Sequence, residues 1–380
     1  MKILSISTDY PPYGHGGYEQ QCRDVTQHLR GSGHGVRVIC GELADAAAGA
    51  RDDVHRELPR FPVQPRPVGG RAAWLAERRA AATLGRHLRS FRPDVVCLWR
   101  LGELSMSLPA RAALAGVPVV GVVCDPWMLD GQRRDPWARR FANIPPVAGA
   151  RWLFVSAALR RQVAAAGLPV DGAEIVPAGV DLAAFPIAPA KPWSGRLLYA
   201  GRLSPLKGVD VAIRALARLP ASTTLDIAGS GPSAYERRLR ETAAALRLTG
   251  RVRFRGPMAR ARLAMAYSTA DAVLFPIRWA EPFGLVPLEA MARGTPVIGV
   301  AAGGASIYLR DGDTALVVPR DDPPAIAAAV DRLACRPALR ARLRAGGRAM
   351  AEQYPVERLQ SAIRRTLEHA VGQLSSSMSR

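Results

Sequence analysis

Paired cysteines are missing from this sequence. The five present, Cys22, Cys40, Cys97, Cys124 and Cys335, are odd in number, widely spaced and without a Cys-x-x-Cys pair, which argues against both a disulfide framework and a zinc site built on cysteine. They read as reduced thiols, in keeping with the cytoplasm. No run approaches the roughly 18 apolar residues of a membrane span, and the amino terminus meets Asp9 and Pro11-Pro12 before a secretory apolar region could form. Lysine is equally scarce: of 52 basic side chains only Lys2, Lys191 and Lys207 are lysines. Set against 32 acidic residues, the arginine-dominated excess leaves a net charge of +20, enough to raise a polyanionic partner. Yet there is no basic stripe interleaved with aromatics, no RNP-like strand and no Cys/His finger spacing, so nucleic acid is not expected. Part of the charge accompanies the richness in Ala, Gly and Pro and is compositional habit. The remainder is uneven, with +6 before residue 190 and +14 after it, so the second half is the better anion binder.

At 380 residues the chain is too long for one ordinary core and fits two. Glycine and proline, 35 and 31 residues, stay short of low-complexity levels. Short apolar runs alternate with helical periodicity throughout, the pattern of α/β domains with parallel sheets. Strands are expected at 3–7, 36–40, 95–99, 117–124 and 152–155, then at 197–200, 224–228, 252–254, 272–275, 297–300 and 315–318. Helices are expected at 19–30, 72–89, 209–219, 234–246 and 324–344. A proline at every third position from Pro186 to Pro192 suggests an extended connector. The expected organisation is therefore a domain over 1–184, a linker over 185–193, a second domain over 194–354, a closing helix over 355–372 that packs back on the first domain, and a frayed tail over 373–380. Doubly wound sheets bind ligands at the carboxyl ends of their strands, so a cleft between facing βα loops is expected.

Those loops carry the informative residues. After the first strand, Gly16-Gly17 precedes a helix, and glycines there let free N–H groups approach a phosphate; a plain turn fits the same residues. The second half opens with a strand and the loop Gly201-Arg202-Leu203-Ser204-Pro205-Leu206-Lys207-Gly208. Arg202 offers a planar fork and Lys207 a mobile point charge, a pair suited to a departing diphosphate. Default arginine usage does not explain Lys207. Gly229-Ser230-Gly231 ends another strand and permits close approach of a nucleotide, or a structural turn. The richest stretch is Glu281-Pro282-Phe283-Gly284-Leu285-Val286-Pro287-Leu288-Glu289. Pro282 and Gly284 place Glu281 on a loop, and Pro287 suits a helix's first turn with Glu289 on its flank. Two carboxylates bordering one helix amino terminus can accept hydrogen bonds from a polyol whose phosphate sits on the backbone N–H groups.

Nearly the whole chain resembles the retaining glycosyltransferases of the two-domain GT-B fold, glycosyltransferase family 4. The resemblance rests on Gly16-Gly17, the Gly201–Gly208 loop, the Glu-x7-Glu of Glu281 and Glu289, Ser156 opening a helix after a strand, and Pro177-Ala178-Gly179-Val180-Asp181. It implies transfer of a sugar from a nucleotide-diphosphate sugar to a hydroxyl acceptor. Gly16 and Gly17 would touch the donor phosphate, Arg202 and Lys207 would clamp the diphosphate, and Glu289 would hold the ribose. Glu281 would bind donor-sugar hydroxyls, the backbone of Phe283, Gly284 and Leu285 would complete the site, and the base would lie near Gly231 and the Arg255-Gly256 turn. No cofactor and no metal would be required. Asp311-Gly312-Asp313 forms an Asp-x-Asp, the metal signature of a different transferase fold, but its setting reads as a surface turn.

The chain departs from the family where many members place a histidine at the end of the strand at 119–123. It reads Cys124-Asp125-Pro126-Trp127 instead, so Asp125 is a candidate to orient an acceptor hydroxyl, with a strand-end cap as the alternative. The acceptor is expected on the first domain. The helix at 71–89, with five arginines beside Trp74 and Leu75, has a composition that permits peripheral contact with an anionic inner-membrane face; an ordinary amphipathic helix packed on the sheet is the preferred reading. A sugar-nucleotide 2-epimerase, a phosphorylase or a non-catalytic sugar-nucleotide-binding protein would share these features.

Overall fold

The computed structural model describes residues 1–13, 16–43, 53–61, 71–129, 150–168 and 170–378. The chain divides into two compact units, Met1–Pro177 with Leu359–Arg380, and Ala178–Arg358.

Unit 1 holds a seven-stranded parallel sheet in the order β3-β2-β1-β4-β5-β6-β7. Its strands are β1 (Lys2–Ser7), β2 (Gly35–Gly41), β3 (Val54–Leu58), β4 (Val95–Leu98), β5 (Val119–Val123), β6 (Arg151–Phe154) and β7 (Glu174–Ile175). The central strands β4 and β5 read Val-Val-Cys-Leu and Val-Val-Gly-Val-Val and are buried throughout, as expected where a parallel sheet is covered on both faces. Register places Ile3 beside Val36 on one side and Val95 on the other. Among the described residues its helices include α1 (Gly17–Gly31), α2 (Arg71–Phe91), α3 (Leu108–Leu114) and α4 (Ala157–Ala165). Ser156 caps α4, accepting from Leu159 N at 3.2 Å.

Unit 2 repeats the scheme with six parallel strands in the order β10-β9-β8-β11-β12-β13. These are β8 (Arg196–Ala200), β9 (Thr224–Ala228), β10 (Val252–Gly256), β11 (Ala272–Phe275), β12 (Val297–Gly299) and β13 (Leu316–Val317). Its helices are α5 (Val209–Leu216), α6 (Ser233–Ala245), α7 (Arg260–Thr269), α8 (Leu285–Arg293), α9 (Pro323–Cys335) and α10 (Pro337–Ala351). The order of strands reverses between β1 and β4 in unit 1 and between β8 and β11 in unit 2. At such a point successive connections leave in opposite directions, and the loops at the strands' carboxyl ends open a crevice.

Several elements differ from the sequence reading. The helix expected over 324–344 is two helices, because Pro337 cannot continue the first and restricts Arg336 before it. Strands β3 and β7 were not anticipated: β3 reads Val-His-Arg-Glu-Leu, too charged to stand out, as edge strands often are. The proline-rich stretch is no free connector. Phe185 is buried against Tyr267, with ring centroids 6.0 Å apart, and Ala188 N donates to Arg293 O at 3.0 Å. Burial of such a ring contributes roughly 1.5–3 kcal/mol, so the stretch belongs to unit 2, and the division falls at Pro177/Ala178 and Arg358/Leu359. The last helix, α11 (Val356–Met378), runs into the stretch expected to fray, while residues 379–380 lie outside those described. Leu359, Ile363, Leu367 and Ala370 line one stripe of α11 and enter the core of unit 1 beside Ile3 and Leu29.

Candidate active site

The switch point of unit 2 gathers the loop after β8 and the loop after β11. A 3-10 turn, Pro205–Lys207, leads into α5 through Gly208, whose φ is +64°. A Cβ there would stand 1.9 Å from Pro276 O, so only glycine lets the two loops approach this closely. Their approach sets Lys207 Nζ 2.5 Å from Glu281 Oε2, both side chains largely buried. Trp279 Nε1 donates to the same oxygen at 2.8 Å, and Lys207 Nζ lies 4.9 Å from the Trp279 ring centroid, in cation–π range. Arg278 ties the arrangement down. Its guanidinium donates to both oxygens of Asp210 at 2.7 and 2.8 Å and to Pro205 O at 3.1 Å, and its backbone N donates to Leu206 O at 2.8 Å.

Helix α8 begins just beyond Glu281. Gly284 occupies its N-cap position with φ +85° and no side chain caps the first turn, so N–H groups there remain to be satisfied by a ligand or solvent. The Tyr308 hydroxyl donates to Phe283 O and Gly284 O at 2.6 and 2.5 Å, and Phe283 packs on the Tyr308 and Tyr354 rings, fixing this entry to the helix. Burial, followed by the charge of Glu281, pushes the Tyr308 phenol well above its ordinary pKa, so it stays a donor. One expectation is corrected here. The helix starts at Leu285, two residues before Pro287, so Glu289 lies in the second turn rather than beside the first; there it accepts from the Tyr267 hydroxyl at 2.8 Å.

The remaining unit 2 candidates divide. Arg202 is exposed and makes no ion pair among the described residues, while its backbone O accepts from Tyr199 OH at 2.9 Å. Gly231 is stitched to the same loop, since Leu203 N donates to Ser230 O at 2.8 Å; its own N donates to Glu236 Oε1 at 2.9 Å. Gly229 N donates to Gly256 O at 2.8 Å, which brings the 255–256 turn alongside. The Arg255 guanidinium is not brought there: it turns back onto the face of the sheet and pairs with Asp226 at 3.1 Å, on a face where Arg196 and Arg253 also line a shallow depression.

In unit 1 the corresponding loops follow β1, β4 and β5. Gly16 is the N-cap of α1 and Gly17 its first residue, and no side chain caps that end; residues 14–15 lie outside those described. The carboxylate of Glu19 folds back over Gly16. Arg100 lies between two acids, 3.5 Å from Glu19 and 3.0 Å from Asp125. Asp125 Oδ1 also accepts from Trp127 N at 3.0 Å, the geometry of an Asx turn closing the strand end. Beside it, burial, with Asp125 and Glu19 adding to it, pushes the Cys124 thiol well up.

Both halves of the chain match known families. The family described as Glycosyltransferase Family 4 matches residues 15–184, and that described as Glycosyl transferases group 1 matches residues 189–350. A glycogen synthase of Mycobacterium tuberculosis is 30% identical over 361 residues, covering 87% of this chain and 85% of its own length. The chain belongs to glycosyltransferase family 4. A D-inositol 3-phosphate glycosyltransferase of Frankia alni is 31% identical, with 85% of this chain and 83% of that protein covered. Among solved structures, HepE of Anabaena in complex with UDP and glucose is similar at a TM-score of 0.78 and 21% identity, over 97% of this chain and 100% of that one. Sucrose-phosphate synthase of Thermosynechococcus elongatus reaches 0.80 at 20% identity, over 98% and 99%. The fold of this glycosyltransferase is GT-B.

Within the glycosyltransferase, Asp311-Gly312-Asp313 forms a tight turn in which Asp311 accepts from Val317 N at 2.9 Å. Trp279, Arg278, Asp210, Tyr267 and Tyr308 were not singled out from the sequence. Only Trp279 offered a signal, an indole two residues before Glu281 on a loop. No helix among the described residues is long and apolar enough to cross a membrane.

Proposed function

We propose that this glycosyltransferase moves a sugar from a UDP-sugar to a hydroxyl acceptor with retention of anomeric configuration and with no metal at the diphosphate. The observation that carries the reading is the Lys207–Glu281 pair at 2.5 Å beside the uncapped amino terminus of α8. An ammonium has three N–H donors; with one on Glu281, two remain for diphosphate oxygens. Arg202 supplies a second cation, and the α8 N–H groups and dipole a third source of positive potential. Together they do the work a divalent ion would do on the leaving group. Glu281 accepts from donor-sugar hydroxyls and Glu289 from the ribose.

In the chemical step the acceptor oxygen forms its bond to C1 on the face from which the diphosphate departs. The C1–O bond breaks, its electron pair leaves with the diphosphate, and a phosphate oxygen takes the acceptor proton. The names of the relatives, a glycogen synthase and an inositol phosphate glycosyltransferase, and the UDP and glucose bound by HepE support a UDP-sugar and a polyol acceptor. The five unpaired cysteines support a cytoplasmic setting. On the outer side of α2, exposed Trp74 and Leu75 with Arg78 stacked on the indole at 4.7 Å support a peripheral membrane contact.

A thermal-shift screen of UDP-, GDP- and ADP-sugars in EDTA tests the donor site. A ligand at 100 times its Kd stabilises the folded state by about 2.7 kcal/mol, several degrees in a domain-sized melt. The expected result is a shift from the UDP-sugars that is lost in Lys207→Ala. A shift that needs a divalent ion, or one unchanged in Lys207→Ala, would overturn the reading.

A further inference from the structure

Strand β3 and helix α2 bring together three side chains that the donor chemistry does not use. His55 and Glu57, two apart on β3, point to the same face of the strand, and His87 projects from the buried stripe of α2. His55 Nδ1 lies 3.4 Å from Glu57 Oε1, and His87 Nε2 lies 3.4 Å from Glu57 Oε2. One ligand atom from each residue falls within 4.8 Å of the others.

We propose that His55, Glu57 and His87 form a site for a divalent transition-metal ion, Zn2+, that pins the edge strand β3 to α2. Contacts of 3.4 Å are long for hydrogen bonds. Each is close to the roughly 3.3 Å between neighbouring donor atoms on one tetrahedral zinc with bonds of about 2.0–2.1 Å; the two imidazoles face different Glu57 oxygens, and the three donor atoms, spanning up to 4.8 Å, close to that spacing by side-chain rotation. The His87 ring is buried, its Nδ1 finds no hydrogen-bond partner, and Nε2 has only the long Glu57 contact. A cation on Nε2 gives that ring the strong polar interaction it lacks. Outer contacts are in place as well. Asp53 Oδ1 lies 2.8 Å from His55 Nε2, which holds the proton there and leaves the Nδ1 lone pair for the metal, and Arg37 Nε fixes Asp53 at 2.8 Å. Two imidazoles and a carboxylate on rigid elements suit zinc and leave a fourth position for water. The competitor is Arg86, whose guanidinium bonds to Glu57 Oε2; with its side chain 56% exposed, it can swing into solvent.

The test uses the full-length protein stripped with EDTA and desalted, titrated with Zn2+ by calorimetry and with Co2+ by visible absorption. Expected are binding of Zn2+ with a rise in Tm, Co2+ bands of a tetrahedral site, and affinity at least tenfold weaker in His55→Ala and in Glu57→Gln. Arg86→Ala removes the competing cation and tightens binding several-fold. His87 is buried, so His87→Ala counts only if it melts cooperatively; His55, partly exposed, keeps the test standing without it. Absence of binding at 100 µM Zn2+, or equal affinity in wild type and His55→Ala, overturns the proposal.

Discussion

The two switch points of this glycosyltransferase share a topology and differ in how their charge is used. In unit 2, Lys207 meets one carboxylate and Arg202 has no ion pair among the described residues, so positive potential is left over. In unit 1, Arg100 is held between Glu19 and Asp125, and its charge is neutralised internally. Strand order places a site, and loop side chains decide what it can take. On the proposed reading the surplus in unit 2 would serve a diphosphate, and the acidic excess in unit 1, two carboxylates to one guanidinium, would serve hydroxyl donors.

The largest effects should fall on the unit 2 side. Lys207→Ala and Glu281→Gln are each expected to lower kcat by 10²–10³ if they stabilise the departing diphosphate and orient the sugar. Trp279→Phe keeps the ring beside Lys207 and loses one hydrogen bond, so it should cost about tenfold. Steady-state rates with a UDP-sugar check these, with circular dichroism to show that each variant folds. An equal loss in Arg100→Met would erase the distinction between the units.

Asp125→Asn is expected to do less. Asparagine can keep the turn to Trp127 N, so the change removes only the charge facing Arg100, and a loss in kcat/KM for acceptor below about tenfold is anticipated. A loss beyond 10² would move a chemical role into unit 1, whereas full activity with the true acceptor would leave Asp125 as a strand-end cap alone.

These sites were unequally legible in the sequence. Gly201–Gly208 and Glu281–Glu289 announce themselves through local punctuation, glycine and proline at fixed offsets from charged residues, and so did the alternation of strand and helix. What holds them was not legible. Arg278 pairs with Asp210, Tyr267 with Glu289 and Tyr308 with the Phe283 carbonyl, and contacts across 22 to 68 positions leave no periodic trace. Arg255 shows the same limit: its backbone turn reaches Gly229, as expected, while its guanidinium answers to Asp226 across the sheet. The His55, Glu57 and His87 cluster was invisible because β3 was itself unreadable as a strand.

The smallest expected effect concerns the brace under Lys207. Burial opposes ionisation of Asp210, but the hydrogen bonds and charge of Arg278 outweigh it and hold the carboxyl below its ordinary pKa. A depressed folded pKa means that the unfolded chain takes up the proton first. The stabilisation is therefore complete above the unfolded value of about 3.9 and is lost as pH falls through the folded one. Urea unfolding should show wild type more stable than Asp210→Asn at pH 6, with the gap closing below pH about 4; a gap independent of pH would mean that the charge on Asp210 contributes nothing. Arg278 also donates to Pro205 O, in the turn that carries Lys207. Protonating Asp210 should loosen that turn, so the donor-induced rise in Tm should weaken in wild type over the same interval. Were it to persist unchanged, Lys207 would be held by Glu281 and Trp279 alone, and the brace would be a matter of stability rather than of donor binding.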